Sequence, residues 1–146
     1  MTATEPPEEG FPEALRPAHA IQYALAAGVP TSRITLSSDS GVPYTQVDRN
    51  GRVVGPHMVG PGRILETVRK LVRAGCGWED AAVFATHSVA ALLGLSQKGQ
   101  RVPGANTDVL VLDSEGVVER VYGCGTLLVD GGRPLVQGSL WGSAMA

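Results

Sequence analysis

Apolar residues recur every three or four positions across residues 14–27, at Ala14, Ala18, Ile21 and Leu25. That period predicts a helix with one inward face, and Gly28 supplies its stop. In residues 33–38, Ile34 and Leu36 fall on one face of a predicted strand. A helix that turns through Gly28-Val-Pro30 into a strand is α/β grammar. A second helix is predicted from Ile64, Leu65, Val68, Leu71 and Val72. Pro61 suits its first position, Glu66 and Lys70 make a favourable pair four residues apart, and Gly75 and Gly77 end it. Residues 78–93 predict a third helix, with Glu79 and Asp80 in the first turn, where the helix dipole favours acids. Ala81, Phe84, Ala85, Ser88 and Leu92 give it a face of mostly small residues, and Gly94 closes it.

Residues 39–62 interrupt this pattern with five glycines, at 41, 51, 55, 60 and 62, and read as a long loop. Asp48-Arg-Asn-Gly51 has the composition of a hairpin turn, with Val47 and Val53-Val54 as its arms. A loop of this length is commonly functional, and this one is placed to cover whatever Asp39 faces. Beyond residue 100 the grammar becomes that of short β runs, at 108–113, 117–122 and 126–129. Gly116, Gly123, Gly125 and an Asp130-Gly-Gly132 turn separate them, which predicts antiparallel strands. The expected organisation is a loose polar segment over 1–13, an α/β portion over 14–100 and a β portion over 101–146.

Composition narrows the function classes. The 146 residues include 19 glycines and 10 prolines, so the elements should be short and separated by turns. Twelve Lys and Arg against 14 Asp and Glu give a net charge of −2, and no basic stripe suits a row of phosphates, so no nucleic-acid partner is expected. No apolar run approaches a membrane span, and the first ten residues lack the basic and apolar regions of a signal peptide, so a cytoplasmic protein is expected. Cys76 and Cys124 form neither a C-x-x-C pair nor a zinc spacing, and are expected as buried small hydrophobes rather than a disulfide.

Among candidate chemical groups, Asp39 stands out, a carboxylate at the end of a short apolar strand. Taken by spacing alone it caps a turn. Ser37 and Ser38 lack the Gly-x-Ser-x-Gly surroundings of a serine nucleophile and read as residues that bond the strand-end backbone. His19 lies beside the apolar face of the first helix and His87 within the third. His57 falls in the glycine-rich stretch. Lys98 reads as a solvated turn residue, Asp108 and Asp113 as β-portion residues, and Trp78 and Trp141 as packing anchors.

Three segments carry a family resemblance: Thr86-His-Ser-Val-Ala-Ala-Leu-Leu-Gly-Leu95, Lys98-Gly-Gln-Arg-Val-Pro-Gly104 and Thr107-Asp-Val-Leu-Val-Leu-Asp113. In that order they resemble the C-terminal end of metal-dependent amidohydrolases, with Gly125-Thr-Leu-Leu-Val-Asp-Gly131 similar to the family's closing hairpin. Thr35-Leu-Ser-Ser-Asp39, Asp48-Arg-Asn-Gly-Arg-Val53, Leu65-Glu-Thr-Val-Arg69 and Ala27-Gly-Val-Pro30 resemble the isoaspartyl dipeptidases (β-aspartyl peptidases) within that superfamily. The resemblance covers residues 14–140 and about the last third of a complete member. It implies an α/β fold, a C-terminal fragment of a (β/α)8 TIM barrel holding the last strand and following helices, then part of a small β-sandwich domain. It implies that Asp39 is both a zinc ligand and the catalytic base in hydrolysis of β-aspartyl dipeptides, and that Ser40 stands where the family binds the substrate's α-carboxylate.

The chain departs from the family in what surrounds Asp39. No His-x-His pair occurs, and His19, His57 and His87 are far apart in sequence. The strands that carry the family's bridging lysine and later histidines have no counterpart, and catalytic zinc generally takes three protein ligands. The family's Asp-Gly-Asn-Gly-Ser loop is here the shorter Asp39-Ser-Gly-Val-Pro43. The expectation is a zinc metallohydrolase lineage with an incomplete zinc site in this chain alone. Such a chain would be inactive by itself, with open edges on its last barrel strand, and would self-associate or need an N-terminal barrel fragment as partner. The alternative is a noncatalytic remnant or structural module that binds no metal.

Overall fold

The computed structural model describes residues 2–4, 16–41, 43–47, 50, 52–58, 60 and 62–136. The chain divides into two units, residues 1–99 and 100–146.

In the first unit, strand β1 (Thr2–Thr4) is followed by helix α1 (Pro17–Ala26) and strand β2 (Thr35–Ser37). The strands pair in parallel, with Thr2 opposite Thr35, Ala3 opposite Leu36 and Thr4 opposite Ser37. This is a βαβ unit, the building block of parallel α/β sheets. It corrects two expectations. Thr2–Thr4 forms a strand rather than part of a loose segment, and β2 has β1 along one edge. On its other side the Leu36 N–H donates to the Phe84 carbonyl oxygen at 2.9 Å.

Pro17 opens α1, where a missing N–H costs nothing. Ala18, Ile21 and Ala24 are its buried face, while Ala14 lies outside the described residues. The helix ends in a Schellman motif: Gly28, at φ +81°, lets Val29 N–H reach back to Ala24 O at 2.9 Å. A 3-10 turn (Thr31–Arg33) then leads into β2.

Within the stretch expected as a long loop, the hairpin expected there is present, with Val47 opposite Val53, and its strands run further than the expected arms. Strands β3 (Pro43–Val47) and β4 (Val53–Met58) pair antiparallel from Pro43 opposite Met58 to Val47 opposite Val53, with a register shift between Gln46 and Val47. Residues 48, 49 and 51 of the expected turn, and Pro61, lie outside the described residues.

Helix α2 (Arg63–Arg73) buries Thr67, Val68 and Leu71. The Lys70 Nζ sits 3.1 Å from Glu66 Oε1, a pair worth about 0.3–0.5 kcal/mol at such exposure. The single helix expected over 78–93 is two short ones, α3 (Trp78–Val83) and α4 (His87–Leu92). Phe84 lies in the break, fully buried, at the centre of a core with Ile21, Ile34, Leu36, Val68, Leu71 and Ala81. Helix α1 packs on β1 and α2, α2 on α3, and α4 on β2 and the 3-10 turn. Ser88 is buried with its hydroxyl donating to Thr31 O at 3.1 Å. Trp78, expected as a packing anchor, is 37% exposed, and Trp141 lies outside the described residues.

The second unit is an antiparallel meander of β5 (Val109–Leu112), β6 (Val118–Gly123), β7 (Thr126–Asp130) and β8 (Arg133–Pro134). Asp113 closes the β5–β6 connection by accepting the N–H groups of Glu115 and Val117 on Oδ1 at 2.9 and 2.8 Å. Cys124 and Gly125 form the two-residue β6–β7 turn, both at positive φ (48° and 79°), the signature of a type I′ hairpin. The turn is tied down by Cys124 N–H to Asp108 Oδ1 at 2.8 Å and Gly125 N–H to Thr107 O at 2.9 Å. Cys124 is therefore an exposed turn residue, not the buried hydrophobe expected, whereas Cys76 is half-buried beside the first core; both thiols are free. Among the described residues of this unit only Gly116 is buried, while Val102, Leu110, Val117, Leu135 and Val136 are exposed. Among the described residues, the sheet's apolar side chains are thus half-buried at most. Among the described residues, no helix is long and apolar enough to cross a membrane.

Candidate active site

Strand β2 runs out of the core. Ile34, Thr35 and Leu36 are buried, Ser37 and Ser38 are half-buried, and Asp39 and Ser40 are exposed. A carboxylate therefore stands at the C-terminal end of a parallel strand, the end at which open α/β sheets and barrels place their chemistry.

The backbone turns sharply there. Asp39 has φ +48°, in the left-handed region that only glycine and, less readily, asparagine and aspartate visit at low cost. Two serine hydroxyls hold the turn. Asp39 N–H donates to Ser37 Oγ at 3.3 Å, and Ser40 N–H donates to Ser38 Oγ at 3.2 Å. The Ser37 hydroxyl in turn donates to Asp39 Oδ1 at 3.2 Å. The expectation that Ser37 and Ser38 bond strand-end backbone holds for both.

The other aspartates with described contacts differ in kind. Asp113 and Asp108 accept backbone N–H groups. Asp130 lies 3.0 Å from Arg120 Nε, in register across β6 and β7, and the Arg120 side chain is raised from its ordinary value chiefly by that hydrogen bond. Asp39 has one hydroxyl on one carboxylate oxygen and no cation beside it among the described residues.

The histidines are spread over three elements. His19 is exposed on α1, His87 is exposed at the first position of α4, and His57 lies on β4 with its side chain outside what is described. Lys98 is half-buried in the turn after α4, its N–H donating to Leu95 O at 3.1 Å. Among the described residues no three His, Cys, Asp or Glu side chains come close enough together to hold a metal ion. The described donor set, with Asp39 alone at the strand end, does not fit a catalytic zinc centre.

No protein-family model matches the chain. Solved structures do. The β-aspartyl dipeptidase of Fervidobacterium islandicum AW-1, solved with a β-Asp-Leu dipeptide, superimposes with a TM-score of 0.76 over 95% of this chain and 35% of its own, at 24% identity. Another structure of that dipeptidase matches with a TM-score of 0.73 over 94% of this chain and 33% of the other, at 17% identity. N-acetylglucosamine-6-phosphate deacetylase from Pasteurella multocida matches with a TM-score of 0.59 at 14% identity, over 81% of this chain and 35% of the other.

The chain shares its fold with one portion of these dipeptidase and deacetylase structures.

The matched portion is C-terminal, and the chain spans about a third of the length of these enzymes. Two features escaped the sequence pattern. Strand β1 is too short and polar to carry a period, and the Ser37 contact depends on the turn at Asp39.

Proposed function

We propose that this chain is the Asp39-bearing portion of a β-aspartyl dipeptidase of the amidohydrolase type, active only when the rest of a (β/α)8 barrel is supplied. The observation that carries the reading is the carboxylate at the C-terminal end of β2, in left-handed backbone, with one hydroxyl as its partner among the described residues. A carboxylate set in a hard-wired turn and left without a structural cation suits proton transfer better than cohesion.

In this reading Asp39 takes the proton from the attacking water. It then delivers the proton to the departing amine of the residue that follows the β-aspartyl group. Ser40, next along the exposed turn, binds the substrate's α-carboxylate. Zinc and its remaining ligands come with the missing portion, since the donor set described here does not fit the metal by itself. The two-stranded parallel sheet supports the same reading, because parallel strands are ordinarily members of larger, covered sheets. So does the second unit, whose strands bury no apolar side chain among the described residues and would complete a small β-sandwich domain.

The test is complementation. Purified chain is mixed with the N-terminal two-thirds of the Fervidobacterium dipeptidase and zinc, and β-Asp-Leu hydrolysis is followed. Hydrolysis is expected only with both parts present and is expected to vanish with Asp39→Asn. Continued inactivity of an assembly that co-elutes on gel filtration would leave the chain a noncatalytic module.

A further inference from the structure

We infer that Ser37 is a positioning residue for Asp39, fixing which carboxylate oxygen is occupied and which is open to accept a proton. The inference rests on the reading of Asp39 given above and adds a residue to it.

Ser37 is the last residue of β2 and is held on both sides of its hydroxyl's reach. Its backbone pairs with Thr4 of β1, and the preceding Leu36 is anchored through its N–H to Phe84 O at 2.9 Å and is itself buried. The strand is therefore a fixed platform, and what it presents to the turn is one hydroxyl. A serine hydroxyl has one donor and two acceptor positions. Ser37 spends its donor on Asp39 Oδ1 at 3.2 Å and accepts Asp39 N–H at 3.3 Å. The acceptor bond ties down the backbone that is at φ +48°, and the donor bond sets the carboxylate's rotation. Oδ2 is left as the free oxygen among the described contacts. Ser38 makes the corresponding backbone bond to Ser40 N–H at 3.2 Å and none to the carboxylate, so it is a built-in control.

The experiment uses the complemented assembly and four chains: unaltered, Ser37→Ala, Ser37→Thr and Ser38→Ala. Removing a hydrogen bond to a charged group should lower kcat roughly ten-fold in Ser37→Ala, with KM unchanged. Ser37→Thr keeps the hydroxyl and should restore the rate, whereas Ser38→Ala, whose hydroxyl holds Ser40 and touches no carboxylate, should leave kcat within about two-fold and place any loss in KM. A merely structural role would lower the unfolding midpoint of Ser37→Ala and leave kcat per assembled molecule alone. Equal kcat in unaltered and Ser37→Ala assemblies overturns this inference while the dipeptidase reading stands. If the unaltered assembly is inactive, the dipeptidase reading falls and the positioning role falls with it. Hydrogen exchange on the chain alone gives a separate reading. The Asp39 amide should exchange several-fold faster in Ser37→Ala than in Ser37→Thr. Equal rates would overturn the contact whatever the assembly does.

Discussion

Leu36 N–H and Phe84 O, 2.9 Å apart, join the middle of β2 to the break between α3 and α4. In an unbroken helix the Phe84 carbonyl would accept from Ser88, four residues on. Here it turns out of the helix to bond β2, and Thr86, at φ −124° and ψ −89°, takes the non-helical geometry that restarts the chain as α4. The break also seats the Phe84 ring at full burial among Ile21, Ile34, Leu36 and Leu71. Phe84→Ala should therefore destabilise the first unit by about 3–5 kcal/mol. Urea unfolding followed by circular dichroism measures it, and a loss below about 1 kcal/mol would place the ring outside the core.

Gly99 is the residue at which the chain leaves α4 most tightly. At φ +70°, an added Cβ would lie 2.8 Å from Ala90 Cβ and 2.9 Å from Thr86 O. Gly94 has a similar φ, +67°, with nothing within 4 Å of that position. Gly94→Ala should therefore show the backbone strain alone, about 1 kcal/mol, and Gly99→Ala that strain plus the clash, about 2–4 kcal/mol together. Equal losses in thermal unfolding would contradict the close approach.

The β6–β7 turn offers a gain instead. Cys124 sits at φ +48°, where asparagine is at home and cysteine is not, and Gly125 already occupies the second position. Cys124→Asn keeps the backbone N–H that bonds Asp108 Oδ1. It should raise stability by about 0.5 kcal/mol, seen as a higher unfolding midpoint.

The two thiols should also be told apart chemically. Burial, and secondarily the nearby Asp80 charge, push the Cys76 thiol above its ordinary value of 9.0. Near neutral pH half-buried Cys76, held protonated, should alkylate with iodoacetamide more slowly than exposed Cys124. Because the fold favours protonated Cys76, its stabilising contribution is complete below about pH 9 and is lost as pH rises through the raised value. Mass spectrometry of partly alkylated protein across pH 7–10 checks the ordering.

The elements legible in the sequence are those whose signal is local. The faces of α1 and α2 show as periods of three and four, and the meander shows as short β-rich runs between glycines. What stayed hidden depends on partners distant in sequence. Strand β1 exists through Thr35–Ser37, and the hairpin legible at Val47 and Val53 runs on as β3 and β4 through Pro43, Pro56 and Gly55, residues that local propensity assigns to a loop. The helix break at Phe84 follows from Leu36, nearly fifty positions earlier. At the candidate site, Asp39 was legible from its place at a strand end. The second job of Ser37 was not, because it arises from one backbone angle at Asp39.

Asp39 and Asp113 both follow strands, and substitution should separate them. Asp113 Oδ1 holds two backbone N–H groups, so Asp113→Ala leaves two donors without their acceptor and should cost the second unit about 1–2 kcal/mol. Asp39→Asn keeps an oxygen to accept from Ser37, and asparagine tolerates positive φ, so stability should change by less than about 0.5 kcal/mol. The complemented dipeptidase activity should respond the other way: intact with Asp113→Ala once folded, and lost with Asp39→Asn, whose amide cannot accept the proton. Paired urea melts and β-Asp-Leu assays on the two variants check the contrast. A large stability loss in Asp39→Asn would make Asp39 the structural residue that its exposed, single-hydroxyl setting argues against.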